Sequence, residues 1–265
     1  MKDTVFGHER TGWRTEIKLL LREPPLLISI LVVFGLFALF ILYPFFKLLW
    51  VPTAADWIKA VTGKEFIEAF RNTLFSSLLA TATAIVLGFI FAYAMNYVQM
   101  PGKRLFQVIA LLPTMAPSVV SGLAFIMLFG RRGIITWNLL GLKTDLYGWF
   151  GIWVVQTIAF FPLAYITISG VLKCISPNLE LAAQNLGARG WYLFRTVTLK
   201  LATPGIASAF LLVAINSLAD FGNPMLVGGN YHVLATEAYA QVVGAWDLPM
   251  GATLSAFLVI PTVLV

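Results

Sequence analysis

The chain has few charged residues, only two histidines and a single cysteine. Only 11% of its 265 residues are charged, whereas 59% are apolar and the mean hydropathy is +0.86. Soluble domains carry about 25% charged residues. A single cysteine, Cys174, excludes a disulfide within the chain. The two histidines, His8 and His232, lie far apart and make no metal-ligand spacing with it. We therefore predict no metal site and no bound cofactor.

Motifs of catalysis are also missing. The sequence contains no Gly-rich phosphate loop and no nucleophile elbow, so any ATP chemistry must reside on another chain. A secondary transporter driven by an ion gradient would place carboxylates or cations deep within its spans, and almost none occur there. A membrane-embedded enzyme would need a nucleophile and base or a metal cluster, and neither histidine lies in a span. We predict a protein that is not an enzyme.

The chain instead has long apolar runs. A bilayer span needs about 20 mostly apolar residues. The sequence predicts six spans, the third interrupted by Pro113 and Pro117, at about 26–46, 70–97, 105–129, 147–172, 201–221 and 250–265. The predicted fold class is all-α, a polytopic membrane helical bundle. We predict two parts, an N-terminal tail 1–25 and a transmembrane domain 26–265.

The positions of Lys and Arg predict the orientation, because cytoplasmic loops carry an excess of them. With the N-terminus inside, the inner segments hold eleven basic and five acidic residues, and the outer segments hold seven of each. We therefore predict a multi-pass inner-membrane protein with a cytoplasmic N-terminus. The Arg131–Arg132 pair on the outer side is the exception. We assign the basic charge to lipid headgroups rather than to nucleic acid.

A polar break at 173–200 separates two apolar runs and has helix signals of its own. Ser176 and Pro177 suit a helix start, with Ser as cap and Pro at the first position, and Gly187 suits a stop. One face of this predicted helix is apolar: Leu179, Ala182, Ala183 and Leu186. A second amphipathic pattern follows: Trp191, Phe194, Val197 and Leu201.

Two interpretations of this break remain. It could lie on the lipid surface as an interfacial loop. Its alanines and its length of about ten residues instead favour a short helix set into a groove of a partner protein.

The break resembles the cytoplasmic signature of permease subunits of binding-protein-dependent ABC importers. That signature is Glu-Ala-Ala, three residues, Gly, nine residues, then Ile-x-Leu-Pro. This chain has Leu181-Ala182-Ala183, Gly187 and Val197-Thr198-Leu199-Lys200 at the same spacing. Leu181 replaces the glutamate and Lys200 replaces the proline. Glu180, one residue earlier, points off the apolar face.

The resemblance implies a permease like those of type I ABC importers, with several partners. These are ATP-binding cassette ATPase subunits, a second permease half, and a periplasmic or extracellular solute-binding protein. It implies that ATP-driven movement of the coupling loop 173–200 switches the spans between inward-open and outward-open states. The residues implied in coupling are Leu179, Leu181, Ala182, Ala183, Leu186, Gly187 and Arg189.

Polar residues within spans are costly in lipid, so each is a candidate for the translocation pathway. The candidates are Asn216, Ser217, Asp220, Asn223, Ser118 and Ser121. For Asp220 the alternative is a carboxylate that merely rests at the membrane interface. Small residues in the second span predict tight helix packing rather than a pore: Ala80, Ala82, Ala84 and Gly88.

A second resemblance concerns the substrate. Residues 218–222, Pro224 and residues 234–237 resemble ferric iron importer permeases, in which two permease halves are often fused into one chain. The last apolar run reaches Val265 without a flanking charge, so we expect a portion of a longer polypeptide, such as the first half of a fused permease. Thiamine, phosphonate, sulfate and polyamine permeases stay as alternatives. We expect the binding protein to dock on the outer loops at 47–69, 130–146 and 222–249.

Overall fold

The computed structural model describes residues 24–141 and 146–264, and all regular secondary structure within them is helical. The chain divides into two compact units, Met1–Val51 and Pro52–Val265. Residues 1–23 of the predicted N-terminal tail lie outside the described residues. The predicted all-α class is confirmed.

The first unit contains one candidate membrane span, Pro24–Trp50. It consists of α1 (Pro24–Phe37), a π-helical turn (Ala38–Leu42) and α2 (Tyr43–Trp50). Apolar side chains surround this helix, and every one of its residues is exposed or half-buried. A helix that is apolar on all sides is suited to contact with lipid.

The second unit holds the remaining helices. They are α3 (Ala54–Thr62), α4 (Lys64–Tyr97), α5 (Lys103–Met115), α6 (Ser118–Phe129), α7 (Trp149–Cys174), α8 (Pro177–Asn185), α9 (Gly190–Leu193), α10 (Leu199–Leu218), α11 (Gly222–Val227), α12 (Leu234–Tyr239) and α13 (Leu248–Leu264). Three π-helical turns lie between them, at Ile134–Leu139, Phe194–Thr198 and Ala240–Gly244.

Five helical segments of the described chain are long and apolar enough to cross a membrane. They are Pro24–Trp50, Lys64–Tyr97, Val119–Leu139, Trp149–Cys174 and Gly190–Leu218. The predicted sixth span corresponds to α13, which has 17 residues and is a shorter apolar helix. It packs against α3 and α4 through aromatic side chains, with the Phe257 ring 5.4 Å from Trp57 and 4.8 Å from Phe66.

The predicted third span at 105–129 needs correction. The chain is helical up to Met115, breaks at Ala116 and Pro117, and becomes helical again at Ser118. Ala116 is extended (φ −91°, ψ 139°) because a residue before proline is driven out of the helical region. Pro113, by contrast, lies inside α5. The candidate span in this part of the chain is therefore Val119–Leu139.

Helices α4, α7 and α10 pack against one another and form the core of the second unit. Ala80, Ala84 and Gly88 of α4 are buried, and Ala82 is exposed. A Cβ atom on Gly88 would lie 2.7 Å from the Cβ of Ala164 in α7. The predicted tight packing is confirmed for Ala80, Ala84 and Gly88 but not for the exposed Ala82. At Gly88 only a missing side chain permits this approach of two helices.

Candidate functional site

Helix α8 forms where the sequence predicts the short helix of the polar break. Pro177 occupies its first position, as expected. Ser176 is the N-cap, but in the described structure its side chain makes no capping hydrogen bond, so that part of the prediction is wrong. Its carbonyl oxygen instead accepts from the Leu179 N–H at 3.0 Å.

The C-terminus of α8 confirms Gly187 as the stop. Gly187 has φ +89°, a backbone conformation that favours glycine. Its N–H donates to the Gln184 carbonyl at 2.9 Å, and the Ala188 N–H donates to the Ala183 carbonyl at 3.0 Å. These two bonds form a Schellman motif, which satisfies carbonyls that a helix end leaves free. The helix is therefore short and has a defined end.

The predicted apolar face of α8 is largely exposed. Leu179 is 50% exposed and Leu186 is 90% exposed. Ala182 is exposed beside them, whereas Ala183 is half-buried. Leu181, at the position of the signature glutamate, is also exposed, as is Arg189 after the turn. The structure thus leaves three exposed apolar residues on one side of α8, Leu179, Ala182 and Leu186, which we name the α8 face.

The second predicted helix of the break is not a separate element. Helix α9, the π-helical turn Phe194–Thr198 and α10 are consecutive and together make up the candidate span Gly190–Leu218. This span begins eleven residues before the predicted start at 201, because the amphipathic pattern around Trp191 continues the helical period of α10. Helix α8 is therefore joined to α7 on one side and to a long helix on the other.

One polar contact of α8 involves a residue that the sequence analysis set aside. The Thr198 hydroxyl donates to Oε1 of Glu180 at 2.9 Å. Glu180 is half-buried and points toward the bundle, away from the α8 face.

A second polar site lies where α10 ends and α11 begins. Gln156 of α7 donates from Nε2 to Oδ2 of Asp220 at 3.0 Å, and Ser217 donates to Oε1 of Gln156 at 2.9 Å. Asn223 donates to the same Asp220 oxygen at 2.8 Å. All four residues are buried. We name them the Asp220 cluster.

The other predicted pathway residues lie elsewhere. Asn216 is exposed and donates to the Leu212 carbonyl within its own helix at 2.8 Å. Ser121 is half-buried and lines a mostly apolar cavity of about 290 Å³ beside α5, α6 and α7. Ser118 begins α6, and its side chain lies outside the described part of the structure. The role of all six residues in a pathway stays a prediction.

Gln156 is the residue of the Asp220 cluster that the sequence analysis missed. It is a polar side chain within the fourth predicted span, so the cost of polar groups in lipid was the available signal. No spacing pattern relates it to Asp220, which lies 64 residues further along the chain.

Two of the predicted outer loops meet around a cavity of about 570 Å³. One side comes from Arg131 and from Tyr147 to Trp149, and the other from Gly229 to Tyr231. The Arg131 guanidinium lies 5.8 Å from the centre of the Tyr147 ring. The cavity is lined by aromatic rings and one cation.

The helical bundle, its apolar spans and the α8 signature define the class of the protein, which is a multi-pass membrane permease of ABC importers. Residues 84–265 match the family described as "Binding-protein-dependent transport system inner membrane component". The chain belongs to this family, which confirms the resemblance drawn from the coupling signature.

Permeases for different substrates are similar to the chain. The ferric transport system permease protein FbpB of Actinobacillus pleuropneumoniae is 32% identical over 219 residues, which cover 80% of this chain and 32% of that protein. The sulfate transport system permease protein CysT of Escherichia coli K12 is 30% identical over 66% of this chain and 64% of its own length. The molybdenum permease ModB of the same strain is 34% identical over 58% and 69%. The matched part of the chain spans about one third to less than one half of the length of the ferric relatives.

Solved structures share the fold. A chain of a bacterial alginate ABC transporter, in complex with an alginate-bound periplasmic protein, has a TM-score of 0.78 at 18% identity, with 93% of both chains covered. A chain of the MetNI methionine ABC transporter has a TM-score of 0.57 at 18% identity, covering 77% of this chain and 94% of that one. At this identity the similarity concerns the fold alone.

Proposed function

We propose that the chain is the permease half of an ATP-driven importer that passes ferric iron from a soluble binding protein across the inner membrane by alternating access. The observation that carries this proposal is the exposed α8 face. It lies at the signature position on a short helix with a defined end. A rigid helix of this kind transmits displacement, whereas a flexible loop would absorb it.

The partner of the α8 face is an ATP-binding cassette ATPase subunit. Helix α8 follows α7 directly and precedes the long helix that contains α10, so a push on α8 acts on two spans of the core. The proposal places α8 and the N-terminus on the cytoplasmic side, in accord with the charge distribution. ATP hydrolysis takes place on the ATPase subunit and not on this chain.

The pathway runs between this chain and a second permease half. Asn216 is the candidate most accessible to a solute, because it is exposed on α10. The buried residues of the Asp220 cluster bond to one another and shape the outer end of α10. The cavity lined by Arg131, Trp149 and Tyr231 belongs to the surface that receives the binding protein.

Ferric iron is the proposed substrate because ferric permeases are similar to the chain at 32% identity over 80% of it and at 27% identity over 92% of it. A permease need not hold the metal in a ligand cluster, since the binding protein delivers it. Import of the oxyanions sulfate or molybdate is the second candidate, and the CysT and ModB relatives support it.

The test is uptake by a reconstituted complex. The chain, its second permease half, the ATPase subunits and the binding protein are assembled in liposomes, with binding proteins loaded with iron, sulfate, molybdate, thiamine, phosphonate or polyamine. We expect ATP-dependent uptake of iron only. Uptake of an oxyanion alone would mean that the substrate is that oxyanion and not iron. Uptake that follows an ion gradient without ATP would overturn the proposal of an ATP-driven importer.

A further inference from the structure

Glu180 departs from the pattern of the coupling segment. The coupling signature places its acid one residue later, at Leu181, where this chain has an exposed apolar side chain. The acid that is present lies one position earlier on α8 and is half-buried. A glutamate in the first turn of a helix interacts favourably with the helix dipole in any case. Its contact with Thr198 shows that it does more than this.

The contact is the hydrogen bond from Thr198. The Thr198 hydroxyl donates to the Glu180 carboxylate at 2.9 Å, and Thr198 is only 3% exposed. A hydrogen bond to a charged acceptor is roughly twice as strong as one between neutral groups. Thr198 immediately precedes α10, so this bond joins α8 to the start of a core helix.

The rest of the packing of α8 is mainly local. The backbone of α8 itself packs mainly against α9 and the π-helical turn. Glu180 is therefore the side chain that joins α8 by a hydrogen bond to the start of α10.

We propose that Glu180 is a positioning residue that transmits the movement of α8 to the cytoplasmic end of α10 through Thr198. The proposal rests on the proposed function. In this proposal, docking and force transmission are carried out by different sides of α8. The α8 face contacts the ATPase subunit, and Glu180 on the other side holds α8 to α10. Without this link α8 would turn under load instead of moving that helix.

The test uses matched variants of Thr198 and Glu180. Thr198→Val removes the donor with little change of shape, and Thr198→Ser keeps it. Glu180→Ala removes the acceptor. In the reconstituted complex, we expect Thr198→Val and Glu180→Ala to lower the uptake per ATP hydrolysed by roughly tenfold, in line with the loss of a charged hydrogen bond. We expect Thr198→Ser to retain it, and all three variants to bind the ATPase subunit normally. The double variant Glu180→Ala/Thr198→Val should be no worse than either single one.

A second measurement separates this proposal from the proposed function. Amide hydrogen exchange over α8 is followed on the full chain in nanodiscs without ATPase subunits. We expect roughly tenfold faster exchange for Thr198→Val, by the same loss of a charged hydrogen bond, and no change for Thr198→Ser. Unchanged exchange in Thr198→Val overturns the link, whether or not uptake occurs. Loss of ATPase binding in the Thr198→Val complex also overturns it, because Glu180 would then only shape the docking surface. If exchange changes but no complex takes up solute with ATP, the proposed function fails and not the link.

Discussion

The side-chain amide of Gln156 donates to Oδ2 of Asp220 at 3.0 Å and connects the middle of the core to the break between α10 and α11. Ser217 returns a hydrogen bond to Oε1 of Gln156, and Asn223 donates to Asp220 from the other side. The buried carboxylate thus has two amide donors from two helices. The cluster fixes the angle at which the chain leaves α10.

This arrangement predicts that Gln156→Leu destabilises the protein. The substitution removes one of the two amide donors to Asp220 and the side-chain acceptor of Ser217 in a buried site. A buried polar group that loses its partner costs about 1–3 kcal/mol, more when it is charged. The control is Asn216→Leu, one position from Ser217, because Asn216 is exposed and bonds only within its own helix among the described contacts. Thermal unfolding in detergent should show a lower Tm for Gln156→Leu alone. Equal effects of both variants would contradict the structural role of the cluster.

Tight packing of α4 on α7 makes a second prediction. A Cβ atom on Gly88 would meet Ala164 at 2.7 Å and the Tyr165 backbone nitrogen at 2.9 Å. Gly88→Val should therefore lower the free energy of unfolding by about 1–3 kcal/mol, the usual cost of overpacking. Gly170→Ala, in α7, is the control, since nothing lies within 4 Å of its added Cβ. The free energy of unfolding is measured with denaturant for both variants. Equal losses in the two would show that the helices do not approach this closely.

The positive φ of Gly187 makes a third prediction. An L-residue with a Cβ atom pays about 1–2 kcal/mol in the left-handed region, and asparagine tolerates that region best. Gly187→Ala should therefore loosen the end of α8, and Gly187→Asn should do so less. Amide exchange at Leu186 and Gly187 reports this directly. The same exchange in the alanine variant as in the unchanged chain would mean that α8 does not end in a Schellman motif.

The sequence predicted the fold well where single segments decide it. Apolar runs located three of the long helices to within several residues: Pro24–Trp50, Lys64–Tyr97 and Trp149–Cys174. Pro177 and Gly187 marked both ends of α8. Span length, helix start and helix stop are local properties. The third span was misplaced because Pro113 is accommodated inside a helix while Pro117 breaks one. The start of the fifth span was misplaced because an amphipathic stretch and an apolar stretch can share one continuous helix.

The sites were predictable only in part. Local patterning located the α8 face, yet it could not show that Ala183 turns toward the bundle. The partners of Asp220 and of Glu180 depend on which helices become neighbours. The periodicity of the sequence does not indicate which helices these are. Gln156 and Asp220 are 64 residues apart, and Thr198 and Glu180 are 18 apart. Tertiary packing decides such pairs.

The central claim is that an ATPase subunit docks on the α8 face, and one paired measurement tests it most directly. Ala182→Glu places a charge on that face, where Ala182 is exposed. Gln184→Glu places the same charge two residues along on the same helix, where Gln184 is also exposed and lies off the face. Binding of the ATPase subunit and ATP-dependent uptake are measured for both variants in the reconstituted complex. The account predicts that Ala182→Glu lowers both by at least roughly tenfold, as for an unpaired charge in an interface, and that Gln184→Glu changes neither. Full binding and full uptake by the Ala182→Glu complex would contradict it.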